Sequence, residues 1–345
     1  MDFTPTEEQD DVRGLATQLF ATATHPELAQ TGFDQQLWAK LAEAGLLALP
    51  VSEELGGAGL PLSVAAVLAE ECGRAAGRVP LVPVLAALPL LTAAQGDLIG
   101  RVLSGDAIVV PALQADGWGA GLTASGEGDA LTVSGTQLAI AWAREASHAV
   151  VAAGDVLALV DLGGPGVDRV DERVSSQEPH ATLVLTGAPA VTLTTGAEAV
   201  TAAVSRLALL QAALAVGIAE ESLKIAAAHV STREQFGKPL ATFQAITYQV
   251  ADCWIDVEAM RLTAQQATWR VDQGLPAAEQ TAIAAFWAAE GVQRVVSKAV
   301  HLHGGLGVDV SYPLHRWFLM GKVVELSLGG AQRQLEDLGA LLAAR

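Results

Sequence analysis

Half of the 345 residues are hydrophobic and only 17% are charged, and the formal net charge is −18 at pH 7. This acidity argues against nucleic acid and anionic membrane surfaces as partners, and the high apolar fraction indicates that part of the surface is covered by other subunits. Cys72 and Cys253 are too few for a disulfide framework and match no metal-binding spacing. They predict buried, reduced thiols in a cytoplasmic protein.

The first hundred residues have the pattern of a helical region. Residues 5–20 place acidic side chains in the first turn and apolar ones at helical spacing. Asp34 is positioned to cap a second helix, and Ser63 begins a third that ends at Gly77. The segment 52–59 carries three glycines in four positions and predicts a loop between them.

Neither a signal peptide nor a membrane span is predicted. The amino terminus lacks the basic and apolar regions of a signal peptide. The longest uncharged run, residues 79–96, contains Pro80, Pro83 and Pro89, which interrupt a helix. We therefore expect no membrane partner.

The composition changes after residue 106 and again near residue 198. Between these points, short β-rich segments bounded by Gly, Asp, Ser or Pro predict an antiparallel sheet. Helical periodicity then resumes and predicts four helices of a bundle, over 198–230, 240–272, 276–300 and 321–343. The predicted fold is mainly α with a small β domain, divided into a helical domain (1–106), a β domain (107–197) and a four-helix bundle (198–345).

Several segments, in order along nearly the whole chain, resemble the acyl-CoA dehydrogenase family. They read TEEQ, FDQQLWAKLAEAGLLAL, EELGGAGL, LAEECGRA, LTVSGTQ, TREQFGKPLATFQ and HLHGGLGVDVSYPLHR. The resemblance implies that family's fold, a tetramer packed through its carboxy-terminal helices, and FAD at the subunit interfaces. It also implies α,β-dehydrogenation of an acyl-CoA substrate, with an electron-transfer flavoprotein or a similar acceptor as a further partner.

The resemblance places one group of residues at positions that reach the FAD held mainly by a neighbouring subunit. A guanidinium holds two pyrophosphate oxygens at once, and glycines let the backbone approach a cofactor closely. A histidine stands where the family usually has glutamine, and it still donates a hydrogen bond. The alternative interpretation is that the arginine caps the carboxy terminus of a helix and the glycines only form a turn, without a role in cofactor binding. These cofactor-binding candidates are Arg233, Phe236, Gln244, His301, Gly304 and Gly305.

By the same resemblance, this chain lacks the residues that would form a flavin site of its own. The family's flavin loop usually has a Thr-Glu stretch followed by Gly-Ser-Asp, whereas residues 111–126 read PALQADGWGAGLTASG. In the family, a second segment usually places an aromatic residue and a threonine against the flavin. In this chain, Leu-Ala-Ile-Ala follows Gln137 instead. Trp142 is close by in the wrong register, which favours a role in core packing.

The catalytic base is also missing. The family usually has its glutamate before Gly-Thr near the carboxy terminus, and the resemblance places Leu328 at that position. Some members carry the base before an arginine on the first bundle helix, where this chain has Ser205 before Arg206. Glu325, one turn before Leu328, is the remaining candidate, and helical geometry favours an exposed or ion-paired carboxylate there.

The chain keeps the residues that reach a neighbour's FAD and lacks those of its own flavin site and catalytic base. In this respect it resembles the short subunit of heteromeric (α2β2) acyl-CoA dehydrogenases of actinobacterial steroid and side-chain catabolism. The leading hypothesis is therefore a subunit that completes the FAD site of a homologous partner, which supplies the catalytic glutamate. Two alternatives remain open. One is a self-sufficient homotetramer that uses Glu325 or another displaced base, and the other is a flavin-free binding or scaffold protein.

Overall fold

The structure is a computed structural model, and it describes residues 3–23, 32–113 and 121–344. Its helices are α1 (Glu7–Phe20), α2 (Gln35–Glu43), α3 (Leu62–Arg74), α4 (Leu81–Ala87), α5 (Gly96–Leu103), α6 (Ala197–Thr232), α7 (Gln244–Asp272), α8 (Ala278–His303), α9 (Leu314–Ser327) and α10 (Gly330–Ala343). Its strands are β1 (Val109–Ala112), β2 (Thr123–Ser125), β3 (Thr132–Ala141), β4 (His148–Ala153), β5 (Val156–Asp161), β6 (Val167–Arg173), β7 (Pro179–Thr195), β8 (Glu234–Gln235) and β9 (Lys238–Pro239).

Side-chain caps determine where the first helices begin. Thr6 and Gln9 form a reciprocal capping box at the start of α1. Asp34, a buried residue, accepts a hydrogen bond from the backbone N–H of Leu37 at 2.9 Å, as the sequence predicts for the start of α2. The predicted third helix is also present, as α3, but it ends at Arg74 rather than at Gly77.

Strands β1 to β7 form one sheet in the order β1-β4-β5-β7-β3-β2, and β6 also pairs with β7. All of its pairings are antiparallel except that of β1 with β4, which is parallel. The long strand β7 pairs with three neighbours and holds the sheet together. The predicted sheet region is confirmed. The parallel pairing of β1 with β4 differs from the predicted antiparallel arrangement, because a short strand pattern does not reveal the direction of its neighbour.

The carboxy-terminal helices share one hydrophobic core. Buried side chains from α6, α7, α8 and α9 meet in it, among them Val216, Val257, Val292 and Val324. Leu328, between α9 and α10, belongs to the same core and is 5% exposed. This core forms the helical bundle that the sequence predicts.

The last predicted helix is divided into two. The sequence predicts one helix over 321–343, and this is wrong because α9 ends at Ser327 and α10 begins at Gly330. Gly329 and Gly330 have φ angles of 80° and 77°. Left-handed backbone cannot continue an α-helix, and glycine adopts it without a steric penalty. Leu328 therefore lies at the corner where the two helices meet.

Contacts divide the chain into two compact units. The first comprises Met1–Ala21, Leu62–Gly77 and Ala208–Arg345, and the second comprises Thr22–Pro61 and Arg78–Leu207. The three-domain division at residues 106 and 197 stays a prediction. All cofactor-binding candidates lie in the first unit.

Among the described residues, only α6 is both long and apolar enough to cross a membrane. However, 56% of its most apolar stretch is buried inside the protein. Core helices of globular proteins have the same property.

Candidate cofactor site

Arg233 follows the last residue of α6, and its backbone is fixed on both sides. Its N–H donates to the carbonyl of His229 at 2.8 Å, and its own carbonyl accepts from Leu240 at 2.9 Å. The side chain is exposed. In the described part of the chain, the guanidinium donates no hydrogen bond to the carbonyls that end α6 and has no carboxylate within 4.0 Å. The helix-capping interpretation is therefore not supported, and the guanidinium is available to an anion.

The segment after Arg233 is a tight hairpin in which β8 pairs with β9. Its two turn residues, Phe236 and Gly237, both have positive φ angles, of 56° and 77°. Such angles are typical of a type I′ turn, but a bulky residue adopts them only at a steric cost. Phe236 is also 91% exposed. Strain that presents an aromatic ring to solvent is characteristic of a binding site.

Phe243 contacts this exposed ring, and Lys238 contacts Phe243; neither residue is among the candidates predicted from the sequence. The Phe236 and Phe243 rings meet edge to face, with centroids 6.2 Å apart. Lys238 places its Nζ 4.4 Å from the centroid of Phe243. Both residues follow the turn in the sequence, but only the folded geometry brings the two aromatic rings and the lysine together. Gln244 follows Phe243 as the first residue of α7, and it is exposed.

The second cofactor-binding segment lies at the end of α8. His301 is exposed, and the backbone leaves the helix at Gly304 with φ 60° and ψ −136°. A Cβ atom built on Gly304 or Gly305 would meet no atom within 4 Å, whereas one on Gly307 would lie 2.5 Å from the Val300 carbonyl. Gly304 and Gly305 therefore present bare backbone to solvent rather than to the protein interior. This is the surface that a cofactor can approach closely.

A small hydrophobic core brings the two segments together. It contains Val230 from the end of α6, Leu302 from the end of α8 and Leu314 from the start of α9, with Leu240 and Ile246 packed against it. The two segments that carry the predicted cofactor-binding residues are therefore anchored to the same small core. We call Arg233, Phe236, Gln244, His301, Gly304 and Gly305 the FAD arm.

Two stacked histidines link these segments. The His229 and His303 rings are nearly parallel, with centroids 4.2 Å apart. His303 Nδ1 lies 2.7 Å from the Ala299 carbonyl, so Nδ1 donates, and Nε2 lies 3.2 Å from the Tyr312 hydroxyl, within hydrogen-bond distance. Burial, then His303 and the adjacent Arg233, lower the pKa of His229. The neutral form of His229 is therefore favoured.

The positions expected for a catalytic base hold no available carboxylate. Leu328 is buried in the helical core, and Ser205 stands at the alternative position in α6. Glu325 is ion-paired, with its Oε2 3.0 Å from Lys322 Nζ. Part of the chain's own flavin loop, residues 114–120, lies outside the described residues. Trp142 is 2% exposed, which confirms its role in packing.

Comparison with known proteins identifies the family. The model of the acyl-CoA dehydrogenase N-terminal domain matches residues 6–103, and that of the C-terminal domain matches residues 194–342. The chain belongs to the acyl-CoA dehydrogenase family. The family is FAD-dependent, which confirms the predicted cofactor, and its members are oxidoreductases.

Several relatives are similar over nearly their full length. Acyl-CoA dehydrogenase FadE27 of Mycobacterium tuberculosis is 34% identical, and the match covers 99% of both chains. A structure of the Tcur3481–Tcur3483 steroid ACAD is 39% identical, covers 98% of both chains and has a TM-score of 0.92. A structure of the ChsE4–ChsE5 complex of Mycobacterium tuberculosis is 33% identical, covers 100% of both chains and has a TM-score of 0.93.

The residues of the FAD arm fit one part of an FAD site. An exposed guanidinium, an exposed aromatic ring and bare glycine backbone suit the anionic and flat parts of a dinucleotide. A carboxylate that could remove a substrate proton is not present at Leu328, and Glu325 is occupied by Lys322. The arrangement can hold the cofactor from one side.

Proposed function

We propose that this chain is one subunit of a heteromeric acyl-CoA dehydrogenase, in which it completes the FAD site of a homologous partner subunit. The partner supplies the catalytic glutamate. The observation that carries the proposal is the burial of Leu328 at the family's glutamate position, in a chain whose FAD-arm residues are exposed. Two structures similar to this chain support the proposal, because each combines two different proteins. One combines Tcur3481 with Tcur3483, and the other combines ChsE4 with ChsE5.

The residues of this chain would act by binding and positioning. The Arg233 guanidinium would offer parallel donors to the pyrophosphate of FAD, and the left-handed turn would present the Phe236 ring to the cofactor. The backbone at Gly304 and Gly305 would allow close approach. A bound FAD would supply the hydride acceptor for the acyl β-carbon. The α-proton goes to a carboxylate that this chain does not provide.

The proposed substrate is a bulky, steroid-derived acyl-CoA thioester. The support is the similarity of this chain, over nearly its whole length, to the Tcur3481–Tcur3483 steroid ACAD. An electron-transfer flavoprotein or a similar acceptor would reoxidise the flavin. We further propose that the protein acts in the cytoplasm and binds neither nucleic acid nor a membrane.

A self-sufficient enzyme that uses Glu325 has less support. Lys322 forms an ion pair with this carboxylate, with its Nζ 3.0 Å from Oε2. The pairing therefore favours a structural role for Glu325.

The test is a pair of substitutions in the complex formed with a homologous partner subunit. Arg233→Gln is expected to weaken FAD binding by one to two orders of magnitude, because a charged contact to phosphate contributes about 1.5–3 kcal/mol. Replacing the partner's glutamate by glutamine is expected to abolish turnover and leave FAD bound. FAD affinity that is unchanged by Arg233→Gln would contradict the proposal.

A further inference from the structure

A cavity of about 470 Å³ opens on the β-sheet, in the second compact unit and thus outside the unit that holds the FAD arm. Its volume lies in the range typical of small-molecule sites. Its walls come from β4, β5, β7 and the turn between β2 and β3. The lining residues that decide its chemistry are Asp129, His148, Leu159, Asp161, Pro189 and Val191.

Strand pairing gives the cavity an apolar floor. Leu159 of β5 pairs with Val191 of β7, and Pro189 lies two residues before Val191, so the three side chains share one face of the sheet. Leu159 is 7% exposed, whereas Val191 is 53% exposed. The exposed valine therefore leaves apolar surface in contact with water, next to a leucine that is already buried. An alkyl chain that covered this floor would remove that surface from water.

Two carboxylates lie beside the apolar floor. Asp161 is two residues after Leu159 in β5, so it is on the same face of the sheet. Its Oδ1 accepts from the backbone N–H of Gly163 at 2.9 Å, which fixes the side chain in place. Asp129 contributes a second carboxylate from the turn between β2 and β3. Neither aspartate forms an ion pair within the described part of the chain.

His148 adds a further acceptor, because it pairs with Asp161 across β4 and β5. The Ser147 hydroxyl donates its one hydrogen to the carbonyl of Ile108 at 3.1 Å, so its oxygen accepts from His148 Nδ1, which is 3.0 Å away. Nε2 of the neutral ring then carries the lone pair. Burial lowers the pKa of His148, Asp161 opposes this shift and Arg101 adds to it, so the neutral ring is favoured at pH 7.

The two carboxylates and the Nε2 atom are all acceptors, so the ligand must bring the donors. Among the described residues, no lysine or arginine lines the cavity. The net charge of −18 also favours a cation over an anion. A primary ammonium group carries three donors and a positive charge on one compact nitrogen.

We propose that this cavity binds a free primary alkylamine in its ammonium form. The alkyl chain covers the apolar floor, and the ammonium group donates to Asp161 and to Nε2 of His148. Asp129 contributes further negative charge. This inference goes beyond the proposed function and does not depend on it, because none of these residues belongs to the FAD arm.

The experiment is a saturation-transfer NMR titration of the full chain, in the assembly in which it purifies, with n-butylamine, n-butanol and n-butyrate. We expect n-butylamine to bind at least about tenfold more tightly than n-butanol, which has the same alkyl chain without the charge, and n-butyrate not to bind. Asp161→Asn is expected to weaken n-butylamine binding about tenfold, and asparagine keeps the oxygen that accepts from Gly163. Asp129→Asn is expected to have a smaller effect in the same direction.

The matched control is Asp171→Asn, because Asp171 is an exposed aspartate of β6 that does not line the cavity. This variant is expected to bind n-butylamine as wild type does. Circular dichroism of each variant shows whether the fold is kept.

Three results would overturn the inference. If n-butanol or n-butyrate binds as tightly as n-butylamine, the cavity does not select an ammonium group. Unchanged n-butylamine binding in both aspartate variants would place the amine elsewhere. Tighter binding of the peptide acetyl-Gly-Lys-Gly-amide than of n-butylamine would assign the cavity to a lysine of a protein partner. We expect FAD content to be the same in the aspartate variants and wild type, so failure here leaves the proposed function standing.

Discussion

The Nζ atom of Lys322 donates a hydrogen bond to Oε2 of Glu325 at 3.0 Å, one turn before Leu328 in α9. The two side chains are 29% and 25% exposed, so the pair is partly screened by solvent. Such pairs contribute about 0–1 kcal/mol to stability. The pairing directs the Glu325 side chain toward a structural partner.

Glu325→Gln is therefore expected to leave turnover of the assembled complex within about twofold of wild type and to lower the free energy of unfolding by less than about 1 kcal/mol. Steady-state kinetics and urea denaturation measure the two quantities. A matched control is Glu290→Gln, which removes another ion pair within one helix, to Arg294. Loss of turnover in Glu325→Gln alone would establish Glu325 as the base and contradict the proposed division of labour.

Leu328→Glu is expected to destabilise the protein by roughly 2–5 kcal/mol, because it moves a carboxyl group into a hydrophobic core without a partner. The control Leu328→Met keeps the volume and the apolar character, and we expect it to cost less than about 1.5 kcal/mol. Urea unfolding of the two variants measures the difference. Equal stability would mean that position 328 faces a polar environment, as a catalytic position would.

Phe236→Asn is expected to separate stability from cofactor binding. Asparagine tolerates the left-handed backbone that phenylalanine adopts here, and Asn-Gly is a preferred type I′ pair, so the free energy of unfolding should stay constant or rise by about 0.5–1 kcal/mol. FAD affinity of the complex should fall because the exposed ring is lost. Gly237→Ala, which strains the same turn, is the control expected to lower stability. Unchanged FAD affinity in Phe236→Asn would remove this ring from the FAD arm.

His229 predicts a loss of stability as the solution is acidified. Burial, His303 and Arg233 lower its pKa, so the unfolded chain takes up a proton before the folded chain does. Its contribution is fully present above the ordinary histidine pKa of about 6.5 and is lost as the pH falls through the lower folded value. Urea denaturation between pH 7.5 and 5.5 should show a smaller loss in His229→Gln than in wild type.

His148 is the internal comparison for this experiment. Burial also lowers its pKa, although Asp161 opposes the shift, and it lies in the other compact unit. His148→Gln should remove its own part of the loss and leave that of His229. Identical pH profiles for wild type and His229→Gln would contradict the assignment.

Local signals in the sequence were sufficient to predict most of the fold. Asp34 was recognised as a helix cap because its side chain acts on residues that follow immediately, and the strand region was recognised by short segments between turn residues. The break at Leu328 was not recognised. Apolar periodicity continues on both sides of it, and a glycine pair fixes no conformation until the surrounding core selects one.

The candidate site was predictable only in part, for a similar reason. The residues of the FAD arm were assigned by resemblance to a family, and their exposure and common anchoring agree with that assignment. The left-handed conformation of Phe236 was not predictable, because the intrinsic preference of phenylalanine opposes it.

The most direct test of the central claim is to measure flavin content and acyl-CoA dehydrogenase turnover in this chain purified alone and in its complex with a homologous partner. We expect the lone chain to contain little FAD and to show no turnover, and the complex to contain one FAD for each pair of subunits and to be active. Full FAD occupancy and turnover by the lone chain would contradict the claim.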